Sequence, residues 1–454
     1  MESSLSPAGE KPHFARYAFC VAVAAAMGGF LFGYDISIIS GAVIFLETEF
    51  QLDSAQKGFA VSSAALGCIA GSLVAATLSD RIGRRGTLAI SAVLLFAASL
   101  GTAIPPNMIV FNAFRILGGI GVGVASVVSP MYIAEMAPAR LRGRLVSVNQ
   151  IAVVTGLFAA VVVAYELSGQ RDWQWMFGSE CLPALAWIAV LFVLPESPRW
   201  LVEKGRDAEA LQLLIRSEGS PQAHIALEEI KQSLSEETGT WGELFQPGMR
   251  TALLVAVMLA ILQQVTGVSI LLVYAPTIFK SAGFEVASDA IWQDIPLNIW
   301  NILCTVLAFW LVDRWGRRPL LLTGTAAMTV GLIVMGLCFH YHWTGYAVVV
   351  TMFLCVGAYV SSLAPLTWLI MSEIFPTRVR GRAMAIAGVA LWLAFFEASR
   401  RFPPVCTYFE TEYGSPAGVF WIFSAVCLFA FFFCWILVPE TKGKTLEAIG
   451  ASWK

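Results

Sequence analysis

The chain has 454 residues, of which 57% are hydrophobic and only 13% charged, with a mean hydropathy of +0.72. A water-soluble chain is nearer 45–50% apolar and roughly 25% charged, so too little polar material remains to cover a water-facing surface, and the surplus must face lipid. A formal net charge of -2 argues against a nucleic-acid partner, which usually demands a basic face, and nine cysteines without CxxC spacing read as small buried hydrophobes rather than metal ligands or disulfides.

Residues 1–15 are a polar tail, and no small-residue cleavage site separates it from the first apolar run, so no removable leader is expected. Runs long enough to cross a hydrocarbon core (roughly 17–25 residues) follow at 16–45, 55–78, 87–104, 107–130, 146–167 and 175–195. A polar stretch at 196–250 is rich in Glu, Lys, Arg, Ser and Gln, and the apolar spacing of 208–216 and 223–235 predicts short amphipathic helices in water. A second set of runs occupies 251–280, 290–312, 320–340, 345–371, 383–408 and 415–438, and 439–454 is a second polar tail. The expected fold is an all-α membrane protein of twelve helices. The bundles are 16–195 and 251–438, joined by the helical linker.

The two halves repeat one another. Asp80-Arg81-Ile82-Gly83-Arg84-Arg85 returns as Asp313-Arg314-Trp315-Gly316-Arg317-Arg318, and Glu135, Pro138, Arg140, Arg142, Gly143 and Arg144 return as Glu373, Pro376, Arg378, Arg380, Gly381 and Arg382. Pro195-Glu196-Ser197 is answered by Pro439-Glu440-Thr441. These arginine loops all fall on one side, which the positive-inside rule makes cytoplasmic together with both tails and the linker. A parallel repeat of two six-helix halves is the plan of a rocking transporter with its site at the midplane. No nucleophile triad, phosphate loop or metal set is visible, so an enzyme is not expected, and a solute must be driven by an ion or by its own gradient.

Gly33-Tyr34-Asp35, the two Gly-Arg-Arg loops and Glu135-x-x-Pro138-x-x-x-Arg142-Gly143 form an ordered set of motifs. Pro195-Glu196-Ser197-Pro198-Arg199-Trp200-Leu201, Gln263-Gln264-x-x-Gly267, Ser372-Glu373-Ile374-Phe375-Pro376 and Pro439-Glu440-Thr441-Lys442-Gly443 complete it. In this order the chain resembles the sugar porter family of the major facilitator superfamily over essentially its whole length. Asp35, where the facilitative glucose carriers have an amide, is similar to the bacterial proton-coupled pentose and hexose symporters. The resemblance implies proton-coupled symport of a monosaccharide by a multi-pass protein of the cell membrane, with no cofactor other than the proton, and function as a monomer is expected. An uncoupled sugar or polyol facilitator, a proton symporter of a non-sugar solute and a non-transporting sugar sensor remain as alternatives.

A carboxylate at the bilayer centre costs about 2.5–3.5 kcal/mol on insertion scales, so Asp35 requires a partner or a proton. The resemblance pairs it with Arg115, and the alternative is a static pair holding two helices together. A neutral polyol needs side chains that both donate and accept, with an aromatic face for its C–H surface. The resemblance places Phe32, Gln150, Gln263, Gln264, Ser269, Asn301, Trp368 and Trp392 at the solute, while for the amides interhelical hydrogen bonding is the competing role. Several positions depart from the family pattern: Ser269 for Asn, Val273 for an aromatic gate, Ser361-Ser362-Leu363-Ala364-Pro365 for a Gly-Pro hinge, and Leu391 and Phe395 for polar residues. Glu397, Arg400 and Arg401 have the i,i+3 and i,i+4 spacing of a local ion cluster. Gating pairs are expected among Asp80, Arg84, Glu135 and Arg142 in the first half and Asp313, Arg317, Glu373 and Arg380 in the second, with Glu180 and Glu440 as further acceptors for those arginines.

Overall fold

The computed structural model describes residues 12–442 other than 139, 171, 236–239 and 344. The described residues form nineteen α-helices and one 3-10 turn. The first half comprises α1 (Pro12–Glu49), α2 (Ser54–Ile82), α3 (Arg84–Ala103), α4 (Met108–Met136), α5 (Arg142–Ser168), α6 (Trp173–Gly178) and α7 (Cys181–Val193). The linker holds α8 (Pro198–Glu203), α9 (Asp207–Glu218), α10 (Ser220–Ser235) and a 3-10 turn at Trp241–Phe245. The second half comprises α11 (Met249–Val265), α12 (Val268–Val273), α13 (Ala275–Ser281), α14 (Ala287–Trp315), α15 (Arg317–His340), α16 (Tyr346–Val360), α17 (Leu363–Glu373), α18 (Thr377–Tyr413) and α19 (Ala417–Leu437). Twelve stretches among them are long and apolar enough to cross a membrane, six on each side of the linker. This is the all-α, twice-six arrangement that the hydropathy pattern predicts, because only helices satisfy their own backbone in lipid.

Three spans are broken inside their apolar run, the sixth at Ser179 and Glu180 between α6 and α7. Gly267, with φ +87°, separates α11 from α12. Ser361 and Ser362 separate α16 from α17, since Pro365 has no N–H for the Ser361 carbonyl and its ring crowds that position. Broken helices leave backbone groups free for solutes or side chains where they line a cavity.

The arginine-bearing face shows the internal repeat as geometry. Gly83 and Gly316 turn the chain from one span into the next at φ +89° and +92°. Beside each, a glutamate from the end of its half takes the exposed amides of the next helix. Glu196 Oε1 accepts from the Arg84, Arg85 and Ser197 N–H groups at 2.9, 3.2 and 2.8 Å. Glu440 accepts from Arg317, Arg318 and Lys442 at 3.1, 3.0 and 2.9 Å. Anions at helix N-termini are favoured by the free N–H groups and the dipole. The Arg84 guanidinium then bridges to Glu135 at 3.0 Å and Arg317 to Glu373 at 2.8 Å.

These contacts correct the expected gating pairs. Glu135 is taken by Arg84, not by Arg142, which is exposed at the start of α5. Asp80 does reach Arg84, at 3.4 Å. Arg380 turns back to the Phe375 carbonyl, and Asp313 lies on α14 with its side chain outside the described residues. Arg317 pairs within the second half, and Arg84 within the first half and with Glu203 of the linker at 4.0 Å. The linker touches both halves: Trp200 donates to the Asp80 carbonyl at 3.1 Å, and Glu243 meets Arg378 at 3.1 Å.

At the opposite face the halves are pressed together. There α2 runs along α18 and α5 along α14. A Cβ added to Gly58 would lie 2.1 Å from the Arg400 carbonyl, so the two backbones are in contact. Phe59 meets Phe396, and Tyr165 meets Trp292, with ring centres 6.3 and 5.1 Å apart. The cluster read from the spacing of 397–401 forms here: Glu397 holds Arg401 at 2.8 Å and Arg400 at 3.1 Å.

Candidate solute and proton site

Asp35 and Arg115 meet inside the first half. Arg115 Nη1 donates to Asp35 Oδ1 at 2.7 Å and to its backbone carbonyl at 3.3 Å, and the residues are 4% and 2% exposed. Beside the pair, Gly118 on α4 adds no side chain (a Cβ there would sit 3.6 Å from Asp35 Oδ1), and Phe177 faces the guanidinium at 5.9 Å. Among the described residues, Asp35 Oδ2 and Arg115 Nε have no hydrogen-bond partner. A buried pair with open valences is expensive to leave incomplete, which is the condition for a proton to change its balance.

Glu180 belongs to this pair and not to the arginine loops. It is 2% exposed between α6 and α7, within electrostatic reach of Asp35 and Arg115, and its Oε1 has no partner among the described residues. The acceptor the loops use in its place is Glu196, which sequence reasoning noted only as part of the repeated Pro-Glu-Ser/Thr motif. Spacing misleads here because Glu180 precedes α7 by a single residue, yet Trp173–Val193 forms a single span and carries it into the bundle.

Between the halves lies a cavity of about 130 Å³, lined by Gln150 and Val153 on α5, Asn301 and Thr305 on α14, Tyr359 on α16, and Ala364 and Pro365 on α17, among others. Of the eight expected solute residues, Gln150 and Asn301 line it directly. Gln263 and Gln264 stand behind its wall. Gln263 Nε2 donates to the Ala364 carbonyl at 2.7 Å, in the first turn of α17, and Ser269 Oγ donates to Gln264 Oε1 at 2.8 Å. Interhelical bonding is therefore the role these amides fill in this conformation, and Gln263 fixes the broken helix that shapes the cavity. Trp368 follows Ala364 by one turn of α17 and is 42% exposed. Phe32 and Trp392 pair edge-to-face at 6.0 Å across the two halves, with Phe395 against Trp392. That aromatic contact brings α1, three residues from Asp35, onto the second half. Asp35 and Arg115 do not line the cavity.

Residues 21–453 match the family described as Sugar (and other) transporter. The chain belongs to that family. Among its relatives, the D-xylose-proton symporter of Escherichia coli (strain K12) is 39% identical, the match spanning 96% of both chains. The arabinose-proton symporter of Bacillus subtilis (strain 168) is 34% identical over 98% of this chain and 96% of its own. The galactose-proton symporter of E. coli K12 is 35% identical over 95% and 93%. Among solved structures, the inward open conformation of the xylose transporter from E. coli gives a TM-score of 0.84 at 37% identity, covering 96% of this chain and 100% of that one. The same protein bound to 6-bromo-6-deoxy-D-glucose gives 0.79, covering 97% and 100%. The better agreement with an inward open form accords with halves that meet at the face where α2 lies on α18 and α5 on α14.

Proposed function

We propose that this sugar transporter carries a monosaccharide together with a proton, by alternating access between two rocking halves. The observation that carries the reading is the Asp35–Arg115 pair, sealed in the first half with Glu180 beside it and linked through α1 to the aromatic contact with the second half. The relatives named for proton symport of xylose, arabinose and galactose support the same substrate class. The arginine-bearing face, with the linker, is cytoplasmic by the positive-inside rule, and the conformation described is then open to the inside. Because the pair does not line the cavity, coupling runs through α1. Protonation of Asp35 weakens its hold on Arg115 and changes how α1 sits against α12, α13 and Trp392. Gln150 and Asn301 hold the solute's hydroxyls, with Trp368 and Trp392 as aromatic faces and Gln263, Gln264, Ser269 and Phe32 supporting them. Arg84–Glu135, Arg317–Glu373 and the Glu196 and Glu440 caps brace each half as a rigid body.

The test is uptake of labelled D-xylose, arabinose, galactose and glucose into proteoliposomes, with and without an imposed inside-alkaline pH gradient. Symport is expected to concentrate one of these sugars, by up to about tenfold per pH unit for one proton per sugar, and to alkalinise the medium. Sugar equilibration that ignores the gradient would overturn the coupling, and no uptake of any of the four would overturn the substrate class.

A further inference from the structure

The eighth span carries a second buried carboxyl that the coupling pair does not use. Asp294 is 1% exposed; Asn298 Nδ2 donates to its Oδ1 at 3.1 Å, and its Oδ2 has no partner among the described residues. Asp294, Asn298, Asn301 and Thr305 follow one another at steps of four, three and four residues, so they form a single stripe along one side of α14. All four are at most 5% exposed. Asn301 and Thr305 line the cavity between the halves, which fixes the side on which the stripe lies. Asp294 is therefore on the inward side of α14, about 10 Å from Asn301 toward the face where the halves are sealed. Ile291, three residues further, packs where Gly41 of α1 faces it, across the seal.

An acid and an amide are a poor choice for a zone that only has to close. Burying an incompletely bonded polar group costs free energy that an apolar side chain avoids, and ionisable groups inside membrane proteins are functional by default. The arrangement is explained if the groups are satisfied in the other half of the cycle. When the seal opens to admit solute, the stripe becomes a wall of the outer vestibule, and a carboxyl beside an amide then offers donors and acceptors to adjacent hydroxyls. We propose that Asp294 and Asn298 form an outer binding step for the sugar, holding it by its hydroxyls on the way from the outside to Asn301. The step deepens the sugar-transport reading and rests on it.

Zero-trans uptake and efflux of whichever sugar the wild type carries are measured in proteoliposomes at equal pH on both sides, with oriented protein. Asp294→Ala is expected to raise the external KM about tenfold, the loss of roughly one hydrogen-bonded contact to a charged or polar group. The internal KM stays within about twofold. Detailed balance then requires the loss to appear in efflux as a lower Vmax. Asp294→Asn, which keeps the shape and an acceptor, should restore most of the external affinity, and Asn298→Ala should repeat the Ala effect even if Asp294→Ala yields no folded protein. Leu303→Ala on the exposed side of the same helix is the control. An unchanged external KM in a transporting wild-type background, or equal rises in both KM values, would overturn the outer step alone; absence of sugar transport by the wild type would overturn the reading beneath it as well.

Discussion

The close packing of α2 on α4 allows a prediction whose size follows from coordinates. A Cβ at Gly119 would lie 1.9 Å from the Ala64 carbonyl oxygen, and one at Gly67 would lie 2.0 Å from the Ile116 oxygen. Ordinary contact begins near 3.4 Å, so Gly119→Ala requires the helices to part by 3.4 − 1.9 = 1.5 Å. Both obstacles are backbone and cannot rotate away. Two stiff helices of 29 residues each separate as units, and a gap of this size forfeits more than half of the dispersion energy along the seam. Overpacking costs about 1–3 kcal/mol in well-packed cores and occasionally more, and the upper end applies here. The apparent melting temperature of the detergent-solubilised protein should fall by about 3 °C. Gly143→Ala, with nothing within 4 Å of the added carbon, should stay within about 0.5 kcal/mol. One separation accommodates both new methyl groups, so the Gly67→Ala/Gly119→Ala double variant should cost little more than either single one. Strict additivity, or a Gly119→Ala protein that melts with the Gly143→Ala control, would refute the reasoning.

Asp35→Asn keeps an acceptor for Arg115 and removes the titrating group, so proton-driven accumulation should fall to about one-fold while sugar counterflow persists; accumulation at the wild-type level is the contrary result. Arg84→Ala strands Glu135, whose side chain is 11% exposed, and should destabilise by about 3–5 kcal/mol, whereas Arg142→Ala, exposed on α5, should leave thermal stability unchanged; equal melting temperatures would sink this distinction. Burial pushes the Glu440 carboxyl up, but the Lys442, Arg317 and Arg318 amides and the Arg317 guanidinium outweigh it and hold it below the ordinary glutamate range. A carboxyl lowered on folding stabilises above its unfolded value, about 4.3, and the contribution is lost as pH falls through the folded value. The melting-temperature gap between wild type and Glu440→Gln should therefore be steady above about pH 5 and shrink below about pH 4; a gap independent of pH would refute the cap.

Hydropathy, turn glycines and repeated loops determined the architecture from the sequence alone, since a chain this apolar must place twelve self-satisfied helices in lipid and the duplicated Gly-Arg-Arg loops mark equivalent turns. Asp35 with Arg115 was legible for a related reason: an acid amid Gly, Phe and Ile has few ways to exist in a membrane without a basic partner. The partners of the loop arginines were not legible. Glu135, Glu180 and Glu196 are all glutamates near helix ends, and only the crossing of helices decides that Glu135 takes Arg84, Glu196 takes bare amides and Glu180 turns inward to the coupling pair. The amides show the same division. Composition says that Gln263 and Asn301 need polar company, but only the fold sets Gln263 against the Ala364 carbonyl in the first turn of α17 and leaves Asn301 facing the cavity. Asp294 escaped notice because its significance depends on which side of α14 faces the seal between halves. Local chemistry fixes what a segment must be; contacts between residues far apart in the chain decide which equivalent group meets which, because packing alone sets distance.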